Sequence, residues 1–145
     1  SGNSTNIFPS ILKVAAGEIE ELMIFGNDWD TIDGTGVRDY IHISDLAKSH
    51  VAALEMSFEK KSQFTTLNIG TGIGTSVLQL INTFSKVNKV KIPFKFSVRR
   101  KGDIGSCVAS NSLALSSMNW KPQKNIEDMC KDGWKWMLFN RSLDK

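Results

Sequence analysis

Cysteine, histidine and tyrosine are scarce in this chain of 145 residues, which carries two, two and one of them. Cys107 and Cys130 show no metal-ligand spacing and make no disulfide framework, so both are expected to be reduced thiols. His42 and His50 lack companion ligands in the sequence around them, which favours histidines satisfied by their surroundings over a metal centre. Long apolar runs are also missing: nothing approaches the ~20 residues that a membrane helix needs. The start of the chain, Ser1 to Asn6, has no basic, apolar-core signal pattern. These absences predict a cytoplasmic protein with no membrane partner. Internal repeats and low-complexity linkers are absent too. What is present, 41% apolar and 23% charged residues, suits one globular domain with its own core.

Charge is unevenly spread. Residues 1–50 hold three Lys/Arg and eight Asp/Glu, leaving fifteen and seven for the rest. Between Lys86 and Lys101 there are seven basic residues and no acid, a candidate nucleic-acid patch. Its arginines are confined to one end, so no nucleic-acid partner is expected.

Periodicity predicts an alternation of helices and short strands. Ser4, Thr5 and Asn6 can each cap a helix over residues 7–16, with Pro9 in its first turn and Gly17 ending it. Residues 22–25 read as a strand closed by Gly26-Asn27-Asp28, and residues 29–36 as a loop. Alternation over residues 37–43 places Arg38, Tyr40 and His42 on one face. Ser44 is the expected cap of the next helix, with Asp45 in its first turn and Leu46, Ala47, Val51, Leu54 and Phe58 as its buried stripe. Residues 64–69 are rich in β-branched and aromatic types and predict a strand. A helix over residues 76–87 follows with Val77, Leu80, Ile81, Phe84 and Val87 on its apolar face, then a strand over residues 93–98. Ser110-Asn111-Ser112 caps a short helix bearing Leu113, Leu115 and Met118, and Trp120-Lys121-Pro122 breaks the chain. The last helix, residues 126–139, puts Ile126, Met129, Cys130, Gly133, Trp134 and Met137 on one side, with Trp136 elsewhere. The fold class is α/β with an α+β-like cast: a small mixed sheet and several helices.

Three stretches carry chemistry. Gly34-Thr35-Gly36-Val37-Arg38-Asp39-Tyr40-Ile41-His42 combines flexible backbone, a forked cation, an acid, a phenol and an imidazole, which suits a ligand-facing loop or a turn with one salt bridge. Gly70-Thr71-Gly72-Ile73-Gly74, between a predicted strand and a helix, has the layout of a phosphate loop. It does not match the full dinucleotide fingerprint, so a tight turn beside a ligand is expected. Arg99-Arg100-Lys101-Gly102-Asp103 offers a cation for a phosphate and a carboxylate for a diol, or a solvated charge cluster. The start of the first helix could hold an anion on its free amides, or simply be capped by Asn6.

Phe25-Gly26-Asn27-Asp28-Trp29, Asp33 to His42, Asn68-Ile69-Gly70 and Arg99 to Asp103 occur here in one order and at compatible spacing. Together they resemble the carboxyl-terminal portion of the UDP-glucose 4-epimerases (UDP-galactose 4-epimerases), a family of extended short-chain dehydrogenase/reductases. Sister nucleotide-sugar epimerases and dehydratases share the Arg-Asp-Tyr element, and a free-standing, non-catalytic nucleotide-sugar module is the alternative of another class.

The resemblance implies an enzyme whose first lobe, a Rossmann domain, holds NAD and supplies a catalytic Tyr-x-x-x-Lys pair. Tyr40, the one tyrosine, is followed four positions later by Ser44, so no catalytic residue and no cofactor site are expected in this chain. Residues 1–145 would be a single substrate-binding domain lacking the Rossmann half, facing UDP-glucose, UDP-galactose and N-acetylated UDP-hexoses. The resemblance maps Asn6 to a diphosphate-facing helix start, Leu22 and Phe25 to the uracil pocket, and Arg38 and Arg100 to the pyrophosphate. It maps Asp103 to the uridine ribose, Tyr40 and Val77 to further pocket walls, and Cys107 to the neighbourhood of the sugar's 2-position. It also implies that residues 44–58 and 64–69 pack on the Rossmann lobe, so that without it their apolar faces favour a homodimer.

Overall fold

Ten elements make up the computed structural model, which describes residues 6–59 and 64–143. They are α1 (Ile7–Ala15), β1 (Leu22–Phe25), β2 (Val37–Arg38), α2 (Ile43–Glu59), β3 (Thr75–Ser76), α3 (Val77–Asn88), β4 (Phe94–Ser97), β5 (Ser106–Cys107), α4 (Ser112–Ser117) and α5 (Ile126–Leu143). The strands form two small sheets. β1 lies parallel to β4, Leu22 opposite Phe94 and Phe25 opposite Ser97. β2 is central in the other, antiparallel to β3 and parallel to β5, with Arg38 between Thr75 and Cys107.

The core is built where the apolar periods of α1, α3 and α5 meet β1. Ile11, Leu22, Ile24, Leu80, Ile81, Phe84 and Cys130 are at most 2% exposed, and each large aliphatic or aromatic side chain so buried contributes about 1.5–3 kcal/mol. Phe84 receives Phe8 and Trp134 edge-on, at 6.3 and 6.0 Å between ring centroids. Trp136 is 59% exposed, so the two tryptophans divide between faces as their spacing requires. The Ser76-x-x-Gln79 pattern becomes a full capping box: the Gln79 N–H donates to Ser76 Oγ (3.0 Å) and the Ser76 N–H to Gln79 Oε1 (2.9 Å). Gly34 turns the loop before β2 with φ +77°, and a Cβ there would collide with the Asn27 carbonyl.

Several expected features differ. Ser4 and Thr5 lie outside the described residues; Asn6 holds the N-cap position of α1 but makes no side-chain cap bond. Ser44 is inside α2, and the cap is His42, whose Nδ1 accepts from the Ser44 N–H at 3.1 Å. The stripe expected on α2 is turned outward: Val51, Leu54 and Phe58 are 57, 56 and 81% exposed. A polar anchor sets this rotation. Asp45 is fully buried, its Oδ2 accepting from the Gln123 and Lys124 N–H groups (2.9 and 2.8 Å) and its carbonyl from Trp120 Nε1 (3.0 Å). The face bearing Asp45 therefore packs inward, and Ala52, Ala53 and Met56 join the cluster of Ala114, Met118 and Trp120.

Residues 64–69 form no strand, because a ladder needs a neighbour and no described strand pairs with them; Leu67 and Ile69 pack on the same cluster instead. On α4, Ala114 and Met118 point inward while Leu113 and Leu115 are exposed, since residues four apart share a face. No helix among the described residues is long and apolar enough to cross a membrane.

Candidate functional site

A cavity of about 1420 Å³ opens between the start of α1, β1, residues 36–43, the start of α3 and residues 100–104. Asn6, Leu22, Phe25, Arg38, Tyr40, Val77, Arg100 and Asp103 all line it. The ninth residue singled out from the sequence, Cys107, is not on this wall; it is exposed on β5, paired with Arg38 in the parallel register. The two arginines thus meet one space although they stand 62 positions apart in the chain.

Arg38 reaches the cavity from β2, its Nη1 donating to the Val37 carbonyl at 2.7 Å. Tyr40 lies two positions on. Burial pushes its phenol up to about 12, against a smaller lowering by the Arg38 charge, so it stays a neutral donor at any physiological pH. Its hydroxyl is buried with no hydrogen-bond partner among the described residues. An unsatisfied donor on a cavity wall is a group that a polar ligand can complete.

Arg100 lies over the Phe25 ring, 4.8 Å from its centroid, and donates from Nε to Asp103 Oδ2 at 2.8 Å. The cation for a phosphate and the carboxylate for a diol are therefore ion-paired with each other here. With side chains 40 and 25% exposed, such a pair contributes only about 0–1 kcal/mol, so a phosphate can compete for Arg100. Arg99 is not part of the cavity. Its Nε donates to Asp28 Oδ1 at 2.7 Å and its guanidinium lies 3.9 Å from the Trp29 ring centroid, fixing the turn after β1.

His42, 6% exposed, closes another part of the wall with Asp132. Because Nδ1 accepts a backbone N–H, the neutral ring carries its proton on Nε2, which faces Asp132 Oδ2 at 3.1 Å. The Asp132 carboxyl is held below its ordinary value mainly by the hydrogen bond from Lys124, with His42 assisting. His50 is exposed and bonds the Leu46 carbonyl. No group of three or more potential metal ligands occurs among the described residues.

Two carboxylates outside the expected set of site residues, Asp33 and Asp39, build the site from behind. Asp33 accepts from the Thr35 N–H (3.0 Å) and hydroxyl (2.6 Å) and from the Ser76 hydroxyl. Burial raises its pKa, but these bonds outweigh burial and hold it below the ordinary 3.8. Asp39 accepts from Thr71 and Gly72 N–H groups, both at 2.9 Å. Nothing local in the sequence links positions 39 and 71; only the fold does. The glycine-rich turn thus has its amides committed to a carboxylate of the chain, so the residues present do not fit the pyrophosphate of NAD.

A family model described as GDP-mannose 4,6 dehydratase matches residues 2–133. UDP-glucose 4-epimerase of Bacillus subtilis is 43% identical over 140 residues, which are 97% of this chain and 41% of that protein. The crystal structure of a UDP-glucose 4-epimerase from Stenotrophomonas maltophila with bound NAD and formylated UDP-arabinopyranose superposes with a TM-score of 0.92 at 45% identity, covering 98% of this chain and 42% of that one. The Bifidobacterium longum enzyme in complex with NAD+ and UDP gives 0.92 at 42% identity, covering 97% and 42%. The chain spans about two-fifths of the length of these relatives. With 132 of its residues under the family model and solved relatives superposing at a TM-score of 0.92, this chain belongs to the GDP-mannose 4,6-dehydratase family, aligning with the carboxyl-terminal part of UDP-glucose 4-epimerases.

Proposed function

We propose that residues 1–145 are a single substrate-binding domain, the UDP-sugar-holding part of a cytoplasmic UDP-glucose 4-epimerase that interconverts UDP-glucose and UDP-galactose. The observation that carries this reading is the convergence of Arg38 and Arg100 on one cavity with Tyr40 and the start of α1. Two guanidinium forks suit the two phosphates of a diphosphate, and each charge-assisted hydrogen bond contributes about 1.5–3 kcal/mol. Leu22 and Phe25 supply apolar wall for a base, and Asp103 a carboxylate for a ribose diol.

Holding the nucleotide at this remote handle leaves the hexose free to turn while its position is kept, so that binding energy far from the reacting carbon is used for positioning. The redox step of the whole enzyme, with its NAD, belongs to residues outside this chain, and the chain alone is inactive. Cys107, small and beside Arg38 in the sheet, supports acceptance of N-acetylated UDP-hexoses. The outward apolar face of α2, Val51, Leu54 and Phe58, supports a homodimer.

Calorimetric titration with UDP and UDP-glucose, repeated on Arg100→Ala, tests the reading. UDP should bind, and the variant should bind it about tenfold or more weakly. Absence of UDP binding to the wild type, or equal affinities, would overturn it.

A further inference from the structure

We infer that Asp39 is the positioning residue for diphosphate recognition: its carboxylate, seated among donors of residues 71, 72 and 109, fixes the strand that brings Arg38 and Tyr40 to the cavity. The inference rests on the UDP-binding reading given above. Asp39 leaves β2 with its own N–H donated to the Cys107 carbonyl at 3.2 Å. Successive residues of an extended chain face opposite ways. Asp39 borders the cavity together with its neighbours Arg38 and Tyr40, but its carboxylate is taken up by the glycine-rich turn.

Four donors converge on this one side chain. Oδ1 accepts from the Thr71 N–H (2.9 Å) and hydroxyl (2.5 Å), Oδ2 from the Gly72 N–H (2.9 Å) and the Ala109 N–H (3.3 Å). Bonds to a charged acceptor are roughly twice as strong as neutral ones. Gly70 belongs to the same device, since a Cβ there would lie 2.5 Å from Asp39 Oδ2 and 2.5 Å from the Ala109 Cβ. The near end of the segment is tied likewise, by Asp33 to Ser76 at the start of α3 and by the Thr35 hydroxyl, which accepts from the Leu78 N–H at 3.3 Å. Arg38 therefore sits between two carboxylate ties to one neighbouring segment. A guanidinium that must meet a diphosphate at a set place needs its backbone held in this way. Asparagine cannot replace Asp39, because its amide nitrogen would confront N–H donors.

The test is calorimetric titration of UDP, and of uridine, which lacks the diphosphate. It uses wild type, Asp39→Asn and Thr71→Val, in the polypeptide as its gene encodes it, each also on an Arg38→Ala background. Asp39→Asn should weaken UDP by about tenfold or more while uridine changes by less than about twofold. Thr71→Val removes one donor and keeps its shape; it should weaken UDP alone, by a few-fold. On the Arg38→Ala background each change should weaken UDP further by no more than the few-fold that Tyr40 accounts for. Equal losses for UDP and uridine, or an Asp39→Asn loss that adds fully to that of Arg38→Ala, would overturn the inference even where wild type binds UDP normally. A wild type that binds uridine no more weakly than UDP overturns the diphosphate reading itself, and the inference with it.

Discussion

Arg100 and Asp103 are ion partners three residues apart, Nε to Oδ2 at 2.8 Å, in a loop that faces the cavity. The pair is half-open to solvent, so breaking it costs little folding free energy, about 0–1 kcal/mol. A lost phosphate contact costs about 1.5–3 kcal/mol, or roughly ten- to 150-fold in affinity. Arg100→Ala should therefore leave the urea midpoint nearly unchanged and reduce UDP affinity by at least the lower figure. Equal effects on both would show that Arg100 acts on the fold.

Tyr40 carries a buried hydroxyl without a partner among the described residues. An unsatisfied buried group costs about 1–3 kcal/mol. Tyr40→Phe should raise the unfolding free energy by about 1 kcal/mol and lower UDP affinity several-fold. A fall in stability would show that the hydroxyl is satisfied in the folded protein.

The two cysteines should separate cleanly by reactivity. Cys107 is exposed, whereas burial, assisted by Glu127, pushes the Cys130 thiol from its ordinary 9.0 up to about 12. At pH 8 a thiol reagent should titrate one group in the native chain and the second only in denaturant.

The same burial gives a pH dependence. Cys130 and Tyr40 both hold their protons more tightly folded than unfolded, with ordinary values of 9.0 and 10.0 each raised to about 12. The folded chain then binds more protons across that window, so stability is full below pH 9 and falls as pH rises towards 12. Denaturation midpoints that stay flat from pH 8 to 11 would contradict this.

Cys107 stands beside Arg38 across the β2–β5 pair. In the intact enzyme, Cys107→Tyr should abolish turnover of UDP-N-acetylglucosamine and spare UDP-glucose. Unchanged selectivity would remove Cys107 from the substrate's surroundings.

Val51, Leu54 and Phe58 form an outward apolar face on α2. Sedimentation of this chain should show a dimer that Phe58→Ser shifts towards monomer; a monomer at high concentration in the wild type would count against the homodimer.

Periodicity alone located α1, α3 and α5 and the residues they bury, because an apolar face repeating every three to four positions has one stable disposition against a core. It failed on α2. There the apolar residues point out and Asp45 points in, because the buried carboxylate answers two backbone amides from residues 123 and 124, a demand that no local pattern expresses. It failed again at residues 64–69, whose composition favours a strand but which have no described neighbour to pair with.

The sequence by itself determined which groups could meet a nucleotide-sugar: the forked cations Arg38 and Arg100, the carboxylate of Asp103 and the single tyrosine, each fixed by residue type and by motifs a few positions long. Tertiary structure decided which of them share a cavity and which serve the frame. Arg99, adjacent to Arg100, was given to Asp28 and Trp29, and Asp39, adjacent to Arg38, to the glycine-rich turn. Neighbours in an extended chain face opposite ways, so residue type names the chemistry while the pairing of distant segments chooses the side on which it acts.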